Sequence, residues 1–117
     1  MIEIYRGRDV SREARRKGAI KIANGFYLSQ EPTPLQLAQI MSREWPDLAL
    51  DGYSAARRYL EQPLQFPLEF IRGSTLPSSM YFRSRRARPK ALGSMNGVNV
   101  CSPLQCIEAM AQEDAVA

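Results

Sequence analysis

Asp9-Val10-Ser11-Arg12-Glu13-Ala14-Arg15-Arg16-Lys17-Gly18-Ala19-Ile20-Lys21-Ile22-Ala23-Asn24-Gly25-Phe26-Tyr27-Leu28 is the stretch on which the fold turns. It reads as a short basic helix, Val10 to Lys17, stopped by Gly18 and followed by two short apolar runs on either side of the turn pair Asn24-Gly25. Asn-Gly suits a two-residue hairpin, because both central residues of a type I′ turn need positive φ and these two reach it at least cost. On the helix, Arg12, Arg15 and Arg16 fall at i, i+3 and i+4 and share one face, with Val10 and Ala14 turned away from it.

Working outward, Ile2, Ile4 and Tyr5 form a short opening strand or extended arm ended by Gly7. Beyond the hairpin, residues 29–32 connect to a strong helix start, Thr33-Pro34, with a hydroxyl at the N-cap and proline at N1. That helix runs to about Glu44 with Leu37, Ile40 and Met41 as its apolar stripe, Trp45 as a core anchor at its exit and Pro46 closing it. Leu48-Ala49-Leu50 is a buried strand between Asp47 and Asp51-Gly52. The next helix spans Ser54 to about Gln62, with Ala55, Ala56, Tyr59 and Leu60 inward, Arg57, Arg58 and Glu61 outward, and Pro63 at its end.

Two alternating strands follow, Gln65–Arg72 and Ser78–Arg86, the second with Met80, Phe82 and Ser84 opposed to Tyr81, Arg83 and Arg85. Residues 73–77 join them as neighbours. Pro67 lacks an amide hydrogen and belongs at an edge or bulge. A loop over 87–96 leads to a second turn pair, Asn96-Gly97, and a last strand of Val98 and Val100 that extends to Cys101 or stops before it. Ser102-Pro103 then starts a helix whose buried stripe is Leu104, Ile107 and Met110, before an acidic, frayed tail at Glu113-Asp114. The fold class is α+β: a partial winged-helix-like helix-hairpin over 9–30, then over 33–112 a small mixed or antiparallel sheet with three helices, all in a single domain of 1–117.

A chain of 117 residues with 44% hydrophobic and 24% charged residues is ordinary globular material. No run reaches the roughly 18 apolar residues of a membrane span, and the N-terminus does not read as a signal peptide, so a cytoplasmic setting without membrane contact is expected. Net charge is +4, yet twelve of the sixteen basic residues crowd into segments 6–21 and 82–90, against only Asp9 and Glu13 there. Such segregation favours polyanions, phosphate backbones above all. A basic helix feeding a hairpin is also how a winged helix-turn-helix meets DNA, helix in the major groove and wing on the phosphates. A solvated helix beside an edge hairpin remains the plainer alternative.

Enzymatic chemistry has little to work with. There is no histidine, so Ser-His and Cys-His nucleophiles and the usual near-neutral base are missing, and a Cys/His zinc site is excluded. Cys101 and Cys106 read as small buried apolar side chains. Asp47 and Asp51 flank a strand, but no Glu-x-Lys follows to complete a metal-dependent nuclease site, and the isolated glycines form no phosphate loop. No catalytic residue, metal or cofactor is expected.

Three phrases resemble a known family. Ala19 to Leu28 is similar to the wing of AbiEi-type antitoxins and of the helper region that precedes very-short-patch-repair-like endonucleases. Leu50-Asp51-Gly52-Tyr53-Ser54-Ala55-Ala56 resembles their strand-to-helix phrase, and Gly97 to Ala111 their closing strand and helix, with Glu108 where the family has an aspartate. The likeness spans about residues 18–111. It implies a winged helix-turn-helix on promoter DNA joined to an α/β antitoxin domain that counters a nucleotidyltransferase-like toxin. The chain departs from that pattern: only nine residues precede the Val10–Lys17 helix, Asn24 replaces the wing arginine, and no nuclease domain follows.

Two functions are therefore expected. In the first, Arg12, Arg15 and Arg16 approach double-stranded DNA, Lys21 and Asn24 touch phosphates from the wing, and Arg83, Arg85 and Arg86 extend the footprint on the sheet side. In the second, the chain is a non-catalytic interaction module with no nucleic acid, docking an acidic partner or forming a homodimer through an exposed edge such as the opening strand.

Overall fold

The computed structural model describes residues 1–90 and 93–116. It is an α+β structure built on two sheets rather than one. Strands β1 (Ile4–Arg6), β2 (Ile20–Ala23) and β3 (Phe26–Leu28) form a small antiparallel sheet in the order β1-β3-β2, with helix α1 (Ser11–Arg16) between β1 and β2 in sequence. Helix α2 (Pro34–Glu44) leads to a second, mixed sheet. Its strands are β4 (Ala49–Leu50), β5 (Leu68–Arg72), β6 (Phe82–Arg86), β7 (Gly93–Met95) and β8 (Val98–Val100), in the order β6-β5-β4-β8-β7. Helices α3 (Gly52–Tyr59) and α4 (Pro103–Val116) complete it.

Local chemistry explains most boundaries. Helix α1 ends in a Schellman motif: Ala19 N–H donates to the Ala14 carbonyl and Gly18 N–H to that of Arg15, with Gly18 at φ 73°. At α2 the expected start is a full capping box, Thr33 Oγ1 accepting from Gln36 N–H at 3.2 Å and Gln36 Oε1 from Thr33 N–H at 2.9 Å. Leu37, Ala38, Ile40 and Met41 are its buried stripe, and Trp45 meets Phe26 edge-on at 5.2 Å. One core runs from the hairpin (Phe26, Leu28) through α2 to β4, β5 and β8.

Several expectations need correction. Of Asn24 and Gly25 only Gly25 has positive φ (73°), and the β2–β3 register slips between Lys21 and Ala23, so this hairpin is bulged, not a type I′ turn. The type I′ signature sits at Asn96-Gly97 instead, φ 54° and 76°, and its first strand, β7, occupies what reads as loop in the sequence. The part of that loop at 91–92 lies outside the described residues. Helix α3 begins at Gly52 and ends at Tyr59, leaving Tyr59 and Leu60 exposed.

Strand β6 starts only at Phe82, and Met80 is 90% exposed. It pairs with β5 in parallel, Leu68 opposite Phe82 through Arg72 opposite Arg86. Helix α4 continues through Glu113 and Asp114, where fraying was expected, and turns Leu104 and Ile107 to solvent while burying Gln105 and Cys106. Gln105 is inward because its side chain holds the preceding segment: Oε1 accepts from Lys90 N–H and Nε2 donates to the Arg88 carbonyl. No helix among the described residues is long and apolar enough to cross a membrane.

Candidate nucleic-acid interface

The small sheet sets the geometry of the basic N-terminal segment. Register places Tyr5, Tyr27 and Lys21 in one cross-strand row, and Lys17 lies 5.6 Å above the Tyr5 ring, so α1 rests on that face with Ala14 fully buried beneath it. Arg12, Arg15 and Arg16 are left exposed. Glu13 turns to Lys17, one helical turn on, at 3.4 Å, and among the described residues none of the three arginines makes an ion pair. Lys21 and Asn24 are exposed on the hairpin. These five expected residues therefore belong to one β1–α1–β2–β3 unit.

The sheet-side arginines belong to the other sheet, on β6. Arg85 reaches inward to Asp51, its Nε 2.9 Å from Oδ2 and its Nη2 3.2 Å from Oδ1, and Asp51 is only 3% exposed. That bidentate contact raises the guanidinium's pKa further. Arg83 bridges Glu69 at 3.3 Å and Glu113 at 3.4 Å. A buried carboxylate thus occupies Arg85, whereas Arg83, its side chain 61% exposed, pairs only at the surface. Arg86, exposed on the edge strand β6, makes no ion pair among the described residues.

The carboxylates concerned have structural work. Glu69 Oε2 accepts from Ser54 N–H while Ser54 Oγ accepts from Glu69 N–H, which seats a negative charge at the start of α3. A Cβ on Gly52 would lie 3.2 Å from the Glu69 carboxylate, so the Asp51-Gly52 phrase is a close-packed corner. Burial, then the facing Glu113 carboxyl, push the Glu69 pKa up. Cys101 Sγ donates to Asp51 at 3.7 Å, and burial, with Asp51 adding to it, pushes the thiol up to about 12, which leaves it inert as a nucleophile near neutral pH. Among the described residues no cluster of three or more potential ligands could hold a metal.

Arg6 and Arg8, unassigned in the sequence, line a cleft at the turn end of the small sheet with Asn24 and Trp45. Only their place in the basic segment signals them. Compared with protein-family models, curated proteins and solved structures, the chain matches none of them, so the antitoxin resemblance rests on its three short phrases.

Proposed function

We propose that this chain is a nucleic-acid-binding regulator of antitoxin type, meeting double-stranded DNA through α1 while Lys21 and Asn24 of the hairpin reach phosphates. The observation that carries the reading is the exposure of Arg12, Arg15 and Arg16 on one short helix without carboxylate partners among the described residues. Unpaired guanidinium groups grouped in this way concentrate a positive field. The strand order β1-β3-β2 supports it, since the helix is braced on a sheet and leads directly into the hairpin. At six residues α1 is about 9 Å long, too short to read many base edges, so most contacts are to phosphates.

The test is a gel shift with short duplex DNA. Arg15→Glu combined with Arg16→Glu should abolish it, and an unchanged shift would remove this site. The toxin partner implied by the resemblance is tested by mixing the chain with the product of a neighbouring nucleotidyltransferase-like gene and looking for co-elution. A second reading, an interaction module without nucleic acid, is favoured by β1 lying at an open sheet edge. Light scattering alone and with duplex separates the two.

A further inference from the structure

A cleft of about 450 Å³ opens at the turn end of the small sheet, its lining including Arg6, Gly7, Arg8, Asn24, Gly25 and Trp45. The Arg6 guanidinium carbon lies 4.0 Å from the Trp45 ring centroid, and its Nη1 donates to the Glu44 carbonyl at 2.8 Å. An arginine stacked and tethered in this way has lost its side-chain freedom before any ligand arrives, yet keeps most of its five donors. The Glu44 carboxylate also pairs with Nη1, at 3.8 Å, which leaves Nε and Nη2 for a ligand. Arg8 is exposed and makes no ion pair among the described residues.

Two glycines keep the wall bare. Gly7 N–H donates to the Gly25 carbonyl at 2.9 Å, and a Cβ on Gly25, which has φ 73°, would meet the Gly7 carbonyl oxygen at 3.2 Å. None of the residues lining the cleft is acidic. Its volume exceeds what a phosphate alone fills and lies in the range of small-ligand sites.

We propose that this cleft takes one nucleotide unit, the phosphate against Arg8 and the free donors of Arg6, the base stacked on the outward face of the guanidinium that covers Trp45. A base within a duplex is not free to enter, so the unit comes from a single strand or a free mononucleotide. This site goes beyond the duplex contact assigned to α1 and does not depend on it.

Trp45 is the sole tryptophan, so its emission reports this cleft. The full chain is titrated with adenosine 5′-monophosphate, a single-stranded oligonucleotide, the matching duplex and inorganic phosphate, with calorimetry on the same solutions. Saturable binding of the mononucleotide or the single strand is expected, with the tighter of the two identifying the source, and Arg8→Ala should weaken it about tenfold. Arg6→Met, which keeps an apolar stem on the indole, should weaken it as well, whereas the Arg15→Glu, Arg16→Glu variant, whose substitutions lie outside the cleft, should keep its affinity for the mononucleotide. Circular dichroism checks that each variant is folded. Absence of heat and of emission change, equal affinity for inorganic phosphate, or binding undiminished in a folded Arg8→Ala protein would each overturn the proposal.

Discussion

Arg85 shows how far one side chain's meaning depends on a partner distant in sequence. On β6 it alternates with Ser84 and Arg86 and reads as part of a basic strand face, but Asp51, 34 positions earlier, captures it with two hydrogen bonds. Removing one partner of such a pair strands a charge where water does not reach. Arg85→Met is therefore expected to cost about 3 kcal/mol, measured by urea unfolding. Replacing Asp51 by Asn in the same protein should return most of that loss. A single variant of wild-type stability would show that the pair is not what holds β6 beside the start of α3. Nothing local announces this partnership, because Asp51 beside Gly52 looks like a turn residue.

At the scale of elements, the start of α2, the end of α1 and the buried stripe of α2 are legible in the sequence, whereas the bounds of α3 and the inward face of α4 are not. Thr33-Pro34, Gly18 after Lys17, and both Asn-Gly pairs act through backbone geometry within a few residues, so the sequence alone locates them, though not the turn type at Asn24-Gly25. Helix α3 closes with a Schellman motif that the sequence hides, since Glu61 and not glycine occupies its left-handed position at φ 55°. Glu61→Gly should accordingly raise stability by about 1 kcal/mol, read as a higher urea midpoint at unchanged slope. A lower midpoint would mean that this side chain does more than tolerate its backbone. The buried face of α4 was misread for the complementary reason: Leu104 and Ile107 have helical spacing, but hydrogen bonds from Gln105 to the 88–90 segment decide which side faces in.

For the molecule as a whole, folding leaves most of the charge segregation visible in the chain on the surface. The cations of 6–21 stay largely on the surface, and on β6 Arg85 is drawn onto the buried Asp51 while Arg83 makes only solvent-exposed pairs with Glu69 and Glu113. Duplex binding by Arg12, Arg15, Arg16 and Lys21 alone gives a slope of log affinity against log salt of about −3 to −4, measurable by fluorescence anisotropy across a salt series. A slope near about −6 would mean that Arg83, Arg85 and Arg86 join in, the first two by leaving their carboxylate partners. The sequence by itself determined the α+β class, the basic helix and hairpin, the capping of α2 and the missing histidine chemistry, because composition, periodicity and turn stereochemistry act over a few neighbouring residues. Only the tertiary structure decided the division into two sheets, the parallel β5–β6 pair, the inward face of α4 and which arginines remain free. Each of those depends on a partner brought close by the chain's path, and ion-pair energy depends on that distance and on the exclusion of water.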